Sequence, residues 1–300
     1  MKKDRQKKIH PDRPVKRDGR FWLDAGGSIR RWLKLLAALI AILAASWAVP
    51  FLLTALFQAL FAAWGIDGET VARAPGWAQG LYGGWLYVNG TLQGAAIALA
   101  AWLTGLALGE RVRMGKGLWA GVLAGALAAT ALIALFRLLD VMRFGHALSS
   151  PAFSGLTPML LIYVLAQALG AVLAAGLIGQ VLSGWRRALG YAGCAALYAL
   201  LFGRWTAFGI LNSVLFGILL WQTHEKSGGV APAFGFLAVF SVLTVAVLGM
   251  PPWQQGALYE TYHVSKPWLS GGDMGPWAGL AMTAALAVLI AVSALPNRKR

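Results

Sequence analysis

The sequence predicts an all-α polytopic membrane protein with about eight transmembrane helices. Hydrophobic residues make up 58% of the 300 residues and charged residues only 12%, with a mean hydropathy of +0.64. A soluble domain carries about twice that share of charged residues. The apolar residues form long runs rich in Ala and Leu, without period-2 alternation. Because lipid supplies no hydrogen-bond partners, such runs must form helices, whose backbone groups bond internally.

Eight apolar runs come close to the 20 or so residues that a helix needs to cross the hydrocarbon core. They cover residues 35–57, 85–108, 118–136, 158–182, 188–202, 207–222, 230–250 and 275–295. The fifth and sixth runs are shorter than the others. Six or seven spans, with the short runs forming a hairpin or partly buried helices, are therefore the alternatives.

The basic residues predict the orientation of these spans. With the N-terminus in the cytoplasm and eight spans, 21 of the 26 Lys and Arg residues fall on the cytoplasmic side. This asymmetry is the one that the positive-inside rule describes. Both termini are then cytoplasmic, and the expected location is a bacterial plasma membrane.

The charge also divides the chain. Residues 1–31 form a basic cytoplasmic tail that we expect to be disordered, residues 32–296 form the helical membrane domain, and residues 297–300 form a basic C-terminus. Each basic residue near an anionic membrane surface adds about 1 kcal/mol of attraction, so anionic lipid headgroups are the expected partner of the tail. Nucleic acid is not an expected partner, because no aromatic or Arg constellation of known geometry accompanies the charge.

The polar residues at membrane depth are neutral. Tyr163, Gln167, Gln180 and Asn212 lie inside predicted spans, where they either line a polar cavity or form hydrogen bonds between helices. Histidines occur only in the tail and in predicted loops, and Cys194 is the single cysteine. No metal site, cofactor or disulfide is therefore predicted.

Glycines and tryptophans predict packing and depth. Gly117, Gly121 and Gly125 recur every four residues, a spacing that favours close helix packing within the chain or, alternatively, dimerisation. Several of the 14 Trp residues, Trp221 and Trp277 among them, fall near the ends of predicted spans. We assign these to an aromatic belt at the membrane interface.

Residues 119–296 carry a recognisable order of elements. A Gly-rich span, LWAGVLAGALAAT, precedes the span PMLLIYVLAQALGAVLAAGLIGQVL, the basic turn GWRRALG and the short span YAGCAALYALLF. A Gly-containing span, a Gly-rich turn and an apolar helix follow over residues 216–232, and the segment GGDMGPW comes late in the chain. This order resembles the CPBP family, which includes CAAX-type prenyl proteases and bacteriocin-processing enzymes, and the resemblance implies a CAAX-protease-like helical bundle.

The same resemblance argues against the activity of that family. Its enzymes carry Glu-Glu-x-x-x-Arg, Phe-x-x-x-His, His-x-x-x-Asn and a late Gly-Pro-Glu, of which a carboxylate activates water while His and Asn hold the oxyanion. The positions that align with this set hold Ala171, Val172, Gly176, Tyr198, Phe202, Gly235, Val239 and Trp277. No catalytic residue can therefore be carried over to this chain.

We therefore expect a catalytically inactive CPBP-like protein that acts as a scaffold, chaperone or subunit for another membrane protein or a lipid-like ligand. An active CAAX-type endopeptidase is the first alternative, with Tyr163, Gln167, Asn212 and the loop histidines as its only raw material. A transporter subunit is the second, with an aqueous path lined by Gln93, Gln167, Gln180 and Asn212.

Overall fold

The computed structural model of the chain describes residues 29–67, 69–147, 153–203, 205–250, 257–263 and 265–295. The predicted disordered tail lies almost wholly outside the described residues, and the predicted basic C-terminus lies wholly outside them. The helices are α1 (Arg31–Ala63), α2 (Gly76–Leu108), α3 (Leu118–Leu138), α4 (Phe153–Ser183), α5 (Arg187–Phe202), α6 (Ala207–Ser227), α7 (Ala231–Ser241), α8 (Pro267–Ser270) and α9 (Leu280–Ala294), and the strands are β1 (Met142–Ala147) and β2 (Tyr259–His263).

The described chain is mostly helical, and five of its helices are long and apolar enough to cross a membrane: α1, α2, α3, α4 and α6. Three shorter apolar helices, α5, α7 with its extension, and α9, coincide with the remaining predicted spans. The prediction of a helical membrane protein is confirmed at this level, because apolar runs of this length leave the backbone no other regular structure.

Two predicted spans differ from the observed helices. The seventh is an α-helix only to Ser241 and continues as a π-helical turn over Val242–Val247. The eighth does not begin at Gly275, because Pro276–Ala278 forms a 3-10 turn and the helix starts at Leu280. Gly275 has a φ of 77° and Gly279 is extended, so the backbone around Pro276 cannot continue a helix.

Successive long helices alternate in direction and so place chain segments at two ends of the bundle. We call one of these the basic end: it holds the start of α1, the loop 109–117, the turn 184–186 and the turn 228–230. The described Lys and Arg residues at this end are Arg30, Arg31, Lys34, Arg111, Arg113, Lys116, Arg186, Arg187 and Lys226. The basic end corresponds to the side that the sequence assigns to the cytoplasm.

Glycines let the helices of the core approach closely. A Cβ on Gly125 would lie 2.6 Å from the carbonyl oxygen of Phe236, and a Cβ on Gly121 would overlap the backbone of Pro232. The glycine face of α3 therefore packs against α7 within the same chain, as the first of the two interpretations predicts. Between α2 and α4, Gly94 and Gly170 meet in the same way, since a Cβ on Gly170 would lie 2.6 Å from the Gly94 carbonyl oxygen.

The strands form an antiparallel ribbon at the end opposite the basic end, with Met142 opposite His263 and Arg143 opposite Tyr262. Sequence analysis did not predict this ribbon, because both strands lie in short segments between apolar runs. The Asp140 carboxylate beside it accepts a hydrogen bond from Arg143 at 3.1 Å. This contact holds the pKa of the Asp140 carboxyl below its usual range.

Candidate functional site

A cavity of about 130 Å³ lies between α4, α5, α7 and the turn that precedes α9. We call it the neutral cavity, because its lining contains no carboxylate, histidine or basic side chain among the residues described. It is lined by Tyr163, Val164, Gln167, Ala168, Ala171, Tyr198, Phe202, Leu237, Ser241, Val245 and Trp277.

Helical periodicity explains which residues of α4 and α5 reach the neutral cavity. On α4, the lining positions recur at intervals of three and four from Tyr163 through Gln167 to Ala171, which places them on one face. On α5, Tyr198 and Phe202 are four residues apart and their rings lie 5.6 Å from each other. Two helices that pack along most of their length thus present their contact faces to the same space.

Four of the eight positions aligned with the family's catalytic set meet in this cavity: Ala171, Tyr198, Phe202 and Trp277. Tyr163 and Gln167, two of the four predicted polar residues, line it as well. The residues that sequence analysis singled out on α4, α5 and the last turn are therefore brought together. The chemistry that such a meeting point would need is absent from these side chains.

The other four aligned positions lie elsewhere. Val172 is fully buried in the apolar core, and a Cβ on Gly176 would contact Val230 and Val112 nearer the basic end. On α7, a Cβ on Gly235 would lie 2.6 Å from the carbonyl oxygen of Leu118, so this position faces α3. Val239, one turn further along α7, does not line the cavity.

The face of α7 that does line the cavity carries Leu237, Ser241 and Val245. The register of the resemblance on this helix is thus two residues away from the face that the bundle uses. Val245 lies in the π-helical turn that follows Ser241. A π turn widens the helix locally and often occurs where a helix borders a functional site.

Aromatic rings fill the space behind the cavity. Phe216 on α6 is fully buried, and its ring lies 4.6 Å from that of Tyr198 and 5.7 Å from that of Trp277, edge to face in the second case. Phe240 contacts Trp277 at 5.4 Å and Phe236 at 5.8 Å. Ring pairs at these separations add to the area that they bury, so the region is dense and apolar where a hydrolase needs polar groups.

The polar side chains beside the cavity use their hydrogen bonds within the protein. Gln167 Nε2 donates to the carbonyl oxygen of Gly90 at 2.6 Å and to Gln93 Oε1 at 3.3 Å. Gln93 Nε2 in turn donates to the carbonyl oxygen of Ser46 at 2.9 Å. These bonds tie α4 to α2 and α2 to α1, which is the interhelical alternative that the sequence left open for such residues.

Asn212 and Gln180 do not line the neutral cavity. Asn212 is fully buried, donates to the carbonyl oxygens of Trp277 at 2.8 Å and Gly279 at 3.0 Å, and accepts from Thr283 at 2.6 Å. It therefore fixes the turn that carries Trp277 into the cavity. Gln180 lies in a second pocket at the basic end.

Three further placements differ from the sequence predictions. Trp221 is 3% exposed and Trp277 is half-buried at the cavity, so neither belongs to an interfacial belt. His224 lies in the last turn of α6 and not in a loop. In the part of the chain that the structure describes, no group of three His, Cys, Asp or Glu side chains is arranged to hold a metal ion.

Comparison of the chain with protein-family models, with curated proteins and with solved structures found no match. Functional inference therefore depends on the geometry of the two pockets and on the residues that line them.

Proposed function

We propose that the chain is a non-catalytic, CPBP-like integral membrane protein that binds another membrane protein or a lipid-like molecule. In this proposal the five long helices and the three shorter apolar helices are eight spans, with both termini in the cytoplasm of a bacterium. The protein acts as a scaffold, chaperone or subunit and converts no substrate.

The neutral lining of the cavity is the observation that carries this proposal. Ala171, Tyr198, Phe202 and Trp277 stand where the resemblance places catalytic groups, and they share one cavity. Activating water or holding an oxyanion needs a group that moves protons, together with donors aimed at the developing charge. The lining offers no carboxylate or imidazole for the first task, and the Gln167 amide donates to protein acceptors already.

The size of the cavity limits what it can hold. At about 130 Å³ it approaches the roughly 150 Å³ apolar cavity that admits a benzene-sized guest. A side chain from a partner helix, or one segment of an acyl or isoprenoid chain, is of this size. The cavity therefore supports recognition of an apolar group by shape, with the rest of the ligand outside it.

Site-specific photo-crosslinking in membranes tests this proposal. A diazirine-bearing phenylalanine replaces Phe202, which lines the cavity, and in a matched variant replaces Leu200, which is on the same helix and 53% exposed. We expect the probe at 202 to label one defined protein or lipid and the probe at 200 to label bulk lipid. Adding Ala171→Leu, which fills the cavity, should abolish the label at 202 only.

Two results would overturn the proposal. One is an equal, unspecific label from both positions. The other is hydrolysis of membrane peptides by the reconstituted protein that is lost on replacing Tyr163 by Phe or Gln167 by Leu, since it would mean that residues outside the aligned set perform catalysis.

A further inference from the structure

A second and larger pocket, of about 610 Å³, opens at the basic end. We call it the basic pocket. It lies between the α2–α3 loop and the adjoining ends of α4, α5 and α6, and its lining includes Arg111, Arg113, Gln180, Arg187, Trp221 and His224. On α4, Gln180 is nine residues beyond Ala171, about 14 Å along the helix, so the basic pocket is separate from the neutral cavity.

Polar atoms without partners are concentrated around this pocket. Five buried side-chain nitrogen or oxygen atoms of the described residues make no hydrogen bond. Three of them, Gln180 Oε1, Trp221 Nε1 and His224 Nδ1, belong to residues that line the basic pocket. Buried polar groups in folded proteins are nearly always paired, so such a cluster indicates a site whose partner is a ligand.

The Trp221 indole is held in place by its surroundings. A Cβ on Gly179 would lie 2.5 Å from its ring, and a Cβ on Gly190 would lie 2.8 Å from its Nε1. These two glycines, on α4 and α5, make room for the ring, which also stacks on His224 at 4.8 Å. The N–H faces the Glu225 carboxylate without reaching hydrogen-bond geometry, so it stays available to a ligand.

The charges around the pocket do not cancel. Glu225 accepts from Arg187 at 2.7 and 2.8 Å and from the Tyr191 hydroxyl at 2.8 Å, so its charge is already compensated. Nearby, Glu110 pairs with Lys34 at 2.9 Å. Arg111 and Arg113 are exposed, and neither forms an ion pair with any described residue. Two guanidinium groups therefore remain for an anion, and Arg suits phosphate because its donors form a planar fork.

We propose that the basic pocket binds a phosphate ester that carries a hydroxyl group. Arg111 and Arg113 supply the charge, and Trp221 Nε1 and His224 Nδ1 donate to the phosphate oxygens. Gln180 Oε1 accepts from the hydroxyl of the ligand. A phosphoglycerol group satisfies all these atoms, whether it is the headgroup of a phospholipid or a free glycerol phosphate.

Native mass spectrometry in a neutral detergent tests the proposal on the full chain. The probes are dioleoyl phosphatidylglycerol, dioleoyl phosphatidylcholine with its cationic headgroup, and glycerol 3-phosphate. We expect Arg111→Gln with Arg113→Gln to weaken phosphatidylglycerol binding roughly tenfold, as the loss of charge-assisted contacts implies. Lys116→Gln with Arg186→Gln removes the same charge at the same end without touching the pocket and should leave the affinity unchanged.

Trp221→Phe keeps the ring but removes the donor, and should weaken binding about threefold. This variant keeps the test valid if the arginine variant does not fold. Competition by glycerol 3-phosphate at similar affinity assigns the site to a free ester, whereas binding of phosphatidylglycerol alone assigns it to a lipid. Equal binding of phosphatidylcholine, or an equal loss in the Lys116 and Arg186 variant, would overturn the proposal.

Discussion

The neutral cavity and the basic pocket are built by the same helices but differ in how their polar atoms are used. Beside the cavity, Gln167 and Asn212 direct their amide groups at protein acceptors. Around the pocket, Trp221 Nε1 and His224 Nδ1 are buried without a partner among the described residues. The first region offers a guest apolar surface only, and the second offers hydrogen bonds and charge.

This difference teaches how residues of one type serve two purposes. Asn212 is a polar residue at membrane depth, which by default marks a functional site, yet its bonds to the Trp277 turn make it structural. Trp221, by contrast, lies where an interfacial belt is expected, yet it is 3% exposed and its N–H is unused. The presence or absence of a partner separates these roles better than residue type or depth does.

The largest expected effect is that of a carboxylate placed in each region. Ala171→Glu should destabilise the fold by about 4 kcal/mol, because the neutral cavity has no cation to pair with a buried charge. Gln180→Glu should cost less than about 1 kcal/mol, since Arg111 and Arg113 line the same pocket. Thermal unfolding of both variants in detergent compares them, and equal losses would show that the two regions do not differ in this way.

A second pair of variants compares one aromatic residue from each region. Phe216→Ala should cost about 3 kcal/mol, because the ring is fully buried between Tyr198 and Trp277. Trp221→Phe should cost about 1 kcal/mol or less, because the ring packing is kept and the lost N–H has no protein partner. Denaturant titration followed by circular dichroism measures both. A loss on Trp221→Phe as large as that on Phe216→Ala would indicate that the indole N–H has a structural partner after all.

The smallest expected effect concerns the ion pair at the edge of the basic pocket. The Arg187 side chain is 76% exposed, so Arg187→Gln should reduce stability by less than about 1 kcal/mol. It should nevertheless weaken binding of phosphatidylglycerol, because Glu225 is then left without its cation and repels the phosphate. Comparing unfolding and lipid affinity of this variant at low and high salt checks the expectation, and a stability loss without a binding loss would contradict it.

The sequence predicted the helices well, because each apolar run has no alternative to a helix in lipid. It did not predict the β ribbon, whose strands carry no apolar run, or the late start of α9, which the backbone around Pro276 dictates. The resemblance placed Ala171, Tyr198 and Phe202 on the face that lines the cavity. On α7 it was two residues out of register, since Gly235 faces α3 and Ser241 faces the cavity.

The basic pocket could be predicted only in part. The positive-inside pattern places Arg111, Arg113 and Arg187 on one side of the membrane, which was a usable signal. Neither the burial of Trp221 nor the helical position of His224 follows from that pattern, because both depend on how α4, α5 and α6 pack. Gly179 and Gly190, which make room for the indole, looked in sequence like any other glycines of an apolar helix.

One crossed measurement separates the two regions. Thermal unfolding is recorded with dioleoyl phosphatidylglycerol and with dioleoylglycerol, which lacks the phosphate, for the wild type, for Ala171→Leu and for Arg111→Gln with Arg113→Gln. We expect phosphatidylglycerol to stabilise the wild type and Ala171→Leu to the same extent and the arginine variant little more than dioleoylglycerol does. Loss of this stabilisation on Ala171→Leu, or its persistence without the two arginines, would contradict the division of the protein into a self-satisfied neutral cavity and a ligand-binding basic pocket.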